Sequence, residues 1–433
     1  MEKRCGIGLS STILVLLLLL GTFFVVTPGT SVADQDGDYT YTTDGHVATI
    51  TGYTGAGGAI VIPSTLGGYP TAAIGLMAFS NKGSLASIII PSGVNSIGGW
   101  AFVSCASLVT VSMPDGLVSI GDSAFAYCSA LTSLSIPNSV SSIGEGAFFG
   151  AASLTSVNMP SNLTTIGQYA FASTSLSSLT VPANVTSIGD QAFNALTTLA
   201  AIDVSEDNAF YCSVDGVLYD KNATTLIQCA GGKVGGLIIP DSVTSIGDYA
   251  FNGCDSLSSV AIPDSVTSIG MTAFRYCDSM TSVNIPGGVT TIKDSTFQQC
   301  SSLTCIVIPD SVTTIEYNAF GGCGSLTTVT LGRGVVSIGN GVFFDCTSLT
   351  SITFLGLVAP TTVGTDWIAD TSPEIKGHAY ADSNFPKPGN DFHGLIMGDE
   401  LSQSDSTMLL LIIMAIAILA IIMAAIMIRG SRK

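Results

Sequence analysis

The sequence predicts a mainly β fold: a solenoid of about 11 to 13 stacked coils with parallel strands. The first observation is a phenylalanine that recurs in one frame every 23 residues, with one interval of 22 and one of 58. The second is a short alternating apolar segment in each unit, typical of a strand, with no long helical stripe. Such units bury their apolar side chains only by stacking on neighbours. The repeat phenylalanines are Phe79, Phe102, Phe125, Phe148, Phe171, Phe193, Phe251, Phe274, Phe297, Phe320 and Phe343.

The amino end has the pattern of a secretory signal peptide over residues 1–33. Lys3 and Arg4 precede an apolar run over 13–26, and the small residues Ser31 and Ala33 suit a cleavage site. The apolar run is longer than usual, so an uncleaved membrane anchor stays an alternative. Either form predicts that the body of the chain is exported.

Each repeat unit predicts one coil. In the unit 256–278, Leu257, Val260 and Ile262 alternate toward the core, and Pro263 ends the strand. A Gly before Phe274 then lets the chain turn. Parallel strands of successive coils hydrogen-bond about 4.8 Å apart. We predict an N-terminal cap over 34–73 and the solenoid over 74–356.

The unit S-L-T-S-V-x-I-P-x-S-V-T-S-I-G-x-x-A-F-x-x-C resembles the BspA-type leucine-rich repeat of bacterial, archaeal and protozoan surface proteins. The likeness covers residues 45–352, and the stretch 45–53 is similar to the usual opening of these proteins. The resemblance implies a leucine-rich-repeat solenoid in a surface-displayed adhesion or recognition protein. It implies no catalytic site, and the partners of this family vary widely.

The 58-residue interval contains a hairpin-like insert over 204–236. Asp215 and Gly216 stand between two β-favouring segments, which is a strong hairpin signal. A protruding contact feature and a degenerate coil that continues the stack are both compatible with this pattern. Cys212 and Cys229 lie in the insert, and we predict a disulfide between them because export permits oxidation.

Seven further cysteines follow the repeat phenylalanine by three residues, so stacking aligns them in columns. Buried small-residue packing, disulfides between coils and a metal site are the alternatives for these columns. The chain contains no C-x-x-C, which removes the usual zinc spacing, and we predict no metal site. The aligned residues are Cys105, Cys128, Cys254, Cys277, Cys300, Cys323 and Cys346.

The outward face of the repeat strands forms a lane of small polar residues, here named the strand lane. It lacks the Trp, Tyr and Arg that usually dominate binding energy, so a partner would bind through many repeated contacts. A merely solvated surface is the alternative. The predicted binding residues are Ser112, Ser135, Asn158, Thr180, Asp203, Asn284, Thr330 and Thr353. Possible glycosylation sites are the N-x-S/T asparagines Asn162, Asn184 and Asn222.

The carboxyl end predicts a cap, a short linker and a membrane span. The cap covers 357–400 and is rich in aromatic residues, as an open solenoid needs, and the linker covers 401–407. Residues 408–428 contain no charge and are long enough to cross a bilayer as a helix. Arg429, Arg432 and Lys433 predict a cytoplasmic tail over 429–433. A lipid-type anchor replacing the helix is the alternative.

Charge and motif content narrow the function. The net charge of −18 excludes a phosphate-tracking surface, and therefore nucleic acid as a partner. The sequence has three histidines and no hydrolase, metalloprotease or phosphate-loop motif, so we predict no enzyme and no cofactor. The predicted function is a single-pass cell-membrane protein whose extracellular solenoid recognises a protein or glycan on another cell or in the matrix. A passive envelope component without a ligand is the alternative.

Overall fold

Each repeat unit closes into one coil with two short strands. In the unit 256–278, the strand Leu257–Ala261 precedes Pro263, and the shorter strand Ser268–Ile269 precedes the turn that carries Phe274. The computed structural model describes residues 33–402, and all regular secondary structure in that range is β-strand. The coils number about 14.

The outward strands of successive coils run parallel and form the lane sheet. Their pairing joins equivalent positions of neighbouring units, for example Ser133 with Ser156. Hydrogen bonding along this sheet is interrupted, and Ser156–Asn158 and Leu179–Val181 fall in separate ladders. Its strands are Gly58–Val61, Leu85–Ile89, Thr110–Ser112, Ser133–Ser135, Ser156–Asn158, Leu179–Val181, Ile202–Val204, Gly235–Ile238, Leu257–Ala261, Ser282–Val283, Cys305–Ile308, Thr328–Leu331, Ser351–Phe354 and Lys376–His378.

A second row of mostly two-residue strands follows the Pro-containing corner of each coil. The buried isoleucine of each strand pairs with its counterpart one unit later, as Ile120 does with Ile143. The strands of this short-strand sheet are Ala48–Tyr53, Tyr69–Ile74, Ser96–Ile97, Ser119–Ile120, Ser142–Ile143, Thr165–Ile166, Ser187–Ile188, Thr225–Cys229, Ser245–Ile246, Ser268–Ile269, Thr291–Ile292, Thr314–Ile315, Ser337–Ile338 and Thr362–Val363.

The repeat phenylalanines form a stacked column through the core. On each side of the insert, from Phe79 to Phe193 and from Phe251 to Phe343, consecutive ring centroids lie 4.7–6.2 Å apart with nearly parallel planes. All eleven rings are buried. Parallel offset stacking at this spacing adds to the free energy of burying each ring. The column is therefore the axis of the hydrophobic core, as the spacing predicts.

Both ends of the stack are closed by aromatic residues. At the amino end the strands Asp34–Asp36 and Tyr39–Thr43 and the pair Thr65–Leu66 join the first coils, and Tyr53 packs 5.3 Å from Phe79. At the carboxyl end Trp367, one residue before the repeat-phenylalanine position, packs 6.3 Å from Phe343. The hairpin Asp391–Phe392 with Leu395–Ile396 covers the last coil.

The number of coils predicted from the sequence, about 11 to 13, is therefore lower than the number in the structure, about 14. Coiling already begins at Ala48–Tyr53, which pairs in parallel with Tyr69–Ile74 inside the range predicted as a cap. It continues through Lys376–His378, which pairs with Ser351–Phe354. These terminal coils carry no repeat phenylalanine, because the aromatic column ends on a tyrosine and a tryptophan. A coil count based on the repeat phenylalanines therefore omits them.

The insert replaces regular coils with an antiparallel three-stranded meander inside the stack. The strands Tyr211–Val214 and Val217–Asp220 pair with each other, and the second pairs with Thr225–Cys229. Leu218 packs into the amino-terminal core, whereas Val217 and Tyr219 pack into the carboxyl-terminal core. The central strand of the insert is thus buried on both faces and separates the two cores.

The disulfide predicted between Cys212 and Cys229 is not formed, and both thiols are free. In the meander Cys212 lies opposite Tyr219 of the central strand. Cys229 lies opposite Val217 of the same strand, two residues before Tyr219. Two strand spacings separate the cysteines, roughly 10 Å, which exceeds the Cα separation that a disulfide spans. Cys229 instead stands at the repeat-phenylalanine position, since its N–H donates to Ala250 O as that of Phe251 donates to Ala273 O.

Asn208 fastens the start of the insert to the preceding coil. Its Nδ2 donates to Pro182 O at 2.7 Å and Val185 O at 3.0 Å, and its Oδ1 accepts the N–H groups of Phe210 and Tyr211. The side chain is fully buried. Its side-chain amide thus pairs with four backbone groups, two in the preceding coil and two in the insert.

We expect Asn208→Ala to lower the free energy of unfolding by about 3 kcal/mol, because it leaves several buried backbone groups unpaired. Denaturant unfolding measures this loss. Asn95→Ala is the matched control, since Asn95 is exposed and its hydrogen bonds to Ala72 and Val118 are made by its backbone N–H and carbonyl. Equal effects of the two substitutions would contradict the fastening role.

The predicted signal peptide, apart from Ala33, lies outside the described residues. So do the predicted span 408–428, the tail 429–433 and most of the linker 401–407. Between residues 33 and 402 there is no helix with the length and apolar character that a membrane crossing requires.

Candidate functional site

The strand lane consists of equivalent positions on successive coils, but its members differ in exposure. Register joins Ser135 to Asn158 and Thr180 to Asp203, as expected for one row. Thr330 and Thr353 are in contrast buried. The exposed members are Ser112, Ser135, Asn158, Thr180 and Asp203, and Asn284 is half-buried.

The burial of Thr330 and Thr353 corrects their assignment to an exposed binding surface. Val307 pairs with Thr330, Thr330 with Thr353, and Thr353 with His378, in one uninterrupted ladder. Each threonine is therefore flanked on both sides by a β-branched or aromatic side chain at strand spacing, which covers it. The carboxyl-terminal part of the lane offers no free hydroxyl row.

The side chains of two strand-lane residues, Asn158 and Asn284, are hydrogen-bonded to the backbone of the preceding coil. Asn158 Oδ1 accepts the N–H of Ile136 at 2.8 Å, and its Nδ2 donates to Ile136 O at 3.0 Å. Asn284 makes the same pair of hydrogen bonds with Ile262, at 3.0 and 2.7 Å. In other coils the equivalent N–H donates to a backbone carbonyl, as Ile90 does to Ser112. These asparagines complete the ladder and present little unpaired polarity to a ligand.

Many other surface hydroxyls are hydrogen-bonded to the backbone of the preceding coil in a similar way. Thr155 donates to Thr132 O, Thr327 to Thr304 O and Thr350 to Thr327 O, each one unit back. Such ladders satisfy carbonyl groups at the corners of the coils. The abundance of Ser and Thr in the sequence is thus explained largely by coil-to-coil bonding.

An open cleft interrupts the strand lane between the coils of Asn158 and Thr180. It has a volume of about 550 Å³, and Met159, Leu179 and Ala183 supply apolar lining beside polar groups. It coincides with the 22-residue unit, where one residue fewer separates Thr174 from the next leucine. At this point Ser156–Asn158 and Leu179–Val181 do not pair, so the backbone of the lane is opened.

The sequon asparagines lie at the surface. Asn162 and Asn222 are exposed, and Asn184 is exposed at the rim of the cleft. Asn184 Nδ2 donates to Ser161 O at 2.8 Å, so the nitrogen that would carry a glycan is engaged in the folded chain. Glycosylation at all three positions stays a prediction.

The cysteine columns are packed, reduced and hydrogen-bonded. Cys300 Sγ donates to Phe274 O at 3.1 Å, and the same bond to the phenylalanine of the preceding coil recurs along the column. Burial raises the pKa of the Cys105 thiol to about 11. Raised thiol pKa values disfavour the thiolate, which is the form that reacts and binds metal. Within residues 33–402, no group of three or more His, Cys, Asp or Glu is arranged to hold a metal ion.

A second surface, which the sequence analysis did not identify, carries a row of large exposed or half-buried side chains. We name it the turn face and define it as the residues from three before to two after each repeat phenylalanine. Its frame could have been found from the same 23-residue register, because aromatic residues recur beside the repeat phenylalanine. Its large residues are Leu76, Met77, Trp100, Tyr127, Phe149, Tyr169, Tyr249, Met271, Tyr276, Tyr317 and Phe344.

Comparisons with known proteins agree with this architecture. The profile described as "BspA type Leucine rich repeat region (6 copies)" matches residues 72–200 and 230–357. A leucine rich cell surface protein of Faecalibacterium prausnitzii is 34% identical, with 76% of this chain and 96% of that chain covered and a TM-score of 0.66. A leucine-rich repeat protein of Bacteroides ovatus is 25% identical over 82% and 95% of the two chains, with a TM-score of 0.51.

The pneumococcal vaccine antigen PcpA shares the fold, with a TM-score of 0.70 at 24% identity over 81% of this chain and 94% of that chain. No match was found among curated proteins.

Proposed function

Because the chain belongs to the BspA-type leucine-rich repeat family, we propose that it is a surface-displayed recognition protein. In this proposal its solenoid contacts a protein or glycan on another cell or in the matrix. The stacked coils make a stiff support, since each coil is hydrogen-bonded and packed on its neighbours. No catalytic step is part of the proposal.

The observation that carries the proposal is the cleft between the coils of Asn158 and Thr180. In the carboxyl-terminal part of the lane Thr330 and Thr353 are buried and the amide of Asn284 is bonded to backbone, whereas the cleft combines apolar lining with polar groups. Concave sites of a few hundred Å³ with this mixed lining are the usual form of a binding site. The cleft is therefore our candidate for the primary contact.

The membrane attachment is also proposed, and it rests on the sequence. Residues 1–33 would direct export, residues 408–428 would span the membrane once, and residues 429–433 would stay in the cytoplasm. The solenoid would then lie close to the outer surface of the membrane, because the linker 401–407 is short. Accessibility of the solenoid to protease added to intact cells would test this orientation.

We expect Ala183→Trp to reduce binding to target cells or to a glycan array by about tenfold or more, because the indole fills the cleft. Saturable binding of purified residues 34–407 measures this effect. Ala261→Trp is the matched control, since Ala261 is a lane residue in a paired part of the sheet outside the cleft.

Two results would contradict the proposal. Equal losses for both tryptophan variants would place the contact elsewhere on the lane. No saturable binding at high surface density would favour a passive envelope component.

A further inference from the structure

We propose that the turn face is a second binding surface, separate from the strand lane, and that it binds a protein segment rich in lysine and arginine. The proposal goes beyond the recognition function assigned to the cleft. It rests on the aromatic row, its backbone conformation and the acidic residues that accompany it.

The aromatic residues form a row that crosses successive coils. The ring of Phe149 lies 5.4 Å from that of Tyr127 and 6.2 Å from that of Tyr169. The row continues across the insert, because Gln191 Nε2 donates to Tyr169 OH at 2.7 Å and Asn252 donates to Asn194 on the far side of the insert. The insert interrupts the short-strand sheet but leaves the turn face continuous.

The fold does not require these large side chains. Trp100, Tyr127, Tyr169, Tyr249 and Tyr276 all have φ between 52° and 59°, a left-handed conformation that is costly for bulky residues. Other coils place glycine or serine at equivalent positions, among them Gly146, Gly253 and Ser123. Trp100, Tyr127 and Tyr276 are exposed and Tyr169 and Tyr249 are half-buried, and strain of this kind at side chains that reach the surface points to a role in contacts with other molecules.

Acidic side chains recur on the same face at coil spacing. Asp122, Glu145, Asp190 and Asp248 each stand three residues before a repeat phenylalanine, and all are exposed. Asp122 Oδ1 accepts the N–H of Glu145 at 2.8 Å, which holds the carboxylate in place. Among these four carboxylates, the ion pairs of the described residues include one weak contact, from Asp248 to Lys293 at 4.0 Å. The face therefore presents largely unneutralised negative charge beside aromatic rings.

The chain itself contains one example of the contact that we propose. The guanidinium of Arg275 lies 4.5 Å from the ring centroid of Tyr276, within the range of a cation–π interaction. A partner segment with lysine and arginine side chains could repeat this contact at Tyr127, Tyr169 and Tyr249 while its charges approach the carboxylates. Charge complementarity thus favours a basic polypeptide over a neutral glycan.

The experiment measures binding of a fluorescent lysine decapeptide to the full chain in phosphatidylcholine nanodiscs, with empty nanodiscs and a glutamate decapeptide as controls. We expect Asp122→Asn, Glu145→Gln and Asp190→Asn together to weaken binding by about tenfold or more. The matched set is Asp115→Asn, Asp241→Asn and Asp264→Asn, which removes the same charge from exposed turns outside the turn face. This set should change affinity by less than about twofold at physiological salt, where the Debye length is about 8 Å.

A second pair of variants tests the aromatic contribution. Tyr127→Ser with Tyr169→Ser should weaken binding by about fivefold or more, because serine already occupies equivalent left-handed positions while the rings are lost. Ile89→Ser with Ile238→Ser removes exposed apolar residues from the strand lane and should leave affinity unchanged. Thermal unfolding confirms that each variant is folded.

Three results would overturn the proposal: no binding of the lysine decapeptide at low salt, equal losses from the two acidic sets, or no effect of the tyrosine substitutions. Binding of a neutral glycan at this face without binding of the lysine decapeptide would also overturn it. These outcomes are independent of the cleft, because none of the substituted residues lines it.

Discussion

Raising the pH through the window from 9 to 11 is expected to unfold the solenoid. Burial raises the pKa of the Cys105 thiol from 9.0 to about 11, and burial also raises the pKa of Cys128, Cys277 and Cys300. In the unfolded chain these thiols lose their protons near pH 9, whereas in the folded chain they stay protonated. The stabilisation is therefore fully present below pH 9 and is lost as the pH rises through the folded values.

The expected effect is large because the thiols act together. Each buried thiol removes about 1.4 kcal/mol of stability per pH unit within the window, and a domain has about 5 to 15 kcal/mol in total. Several such thiols exhaust this reserve within two pH units. Far-UV circular dichroism against pH measures the transition.

The matched variant is Cys277→Ala with Cys300→Ala, since Ala151 already occupies an equivalent position in another coil. It should move the alkaline midpoint upward and make the transition less steep. A wild-type chain that stays folded above pH 11, or a double variant with an unchanged midpoint, would contradict the prediction. Rapid alkylation of the column cysteines in the folded chain at pH 8 would contradict the packing on which it rests.

Phe297→Ala is expected to lower the free energy of unfolding by about 3 to 5 kcal/mol. The Phe297 ring lies 5.2 Å from Phe274 and 5.3 Å from Phe320, with both neighbours nearly parallel. Removal of the ring leaves a cavity that the stacked coils cannot close, because each coil is held in register by strands on two sides. The substitution removes the packing of the ring between neighbouring coils, in addition to the transfer free energy of burying the ring.

Denaturant unfolding measures this change, and Phe344→Ala provides the matched control. Phe344 is 41% exposed on the turn face, whereas its neighbour Phe343 is buried. The control should cost less than about 1 kcal/mol. Equal losses at the buried and exposed phenylalanines would show that the column does not stabilise the stack.

The repeat frame predicted the core residue by residue because its periodicity reports burial directly. Phe274, Ile269 and Leu257 occupy the buried positions that the alternation and the turn residues predict. The candidate site was less accessible to this reasoning. Outward positions such as Thr180 and Thr330 look alike in the sequence, yet one is exposed and the other buried, since exposure depends on what the adjacent coils place beside them.

The terminal coils and the insert show a second kind of limit. Trp367 and Tyr53 close the aromatic column without following the phenylalanine frame, so their role follows from contacts with Phe343 and Phe79. Cys212 and Cys229 lie in the same insert, but the register of three antiparallel strands keeps them apart. The number of residues between two cysteines does not determine the distance between them across a three-stranded meander.

The sequence by itself determined the repeating coil, the inward column of phenylalanines and the acidic character of the surface. These properties follow from periodicity and composition, which act on each unit locally. Tertiary structure decided which polar groups are free, where the lane opens into a cleft, and that Tyr127, Phe149 and Tyr169 meet in one row. Those properties arise between coils. The hydrogen-bond partners and the covering side chains come from the adjacent coils, whose equivalent residues are usually 23 positions away in the sequence.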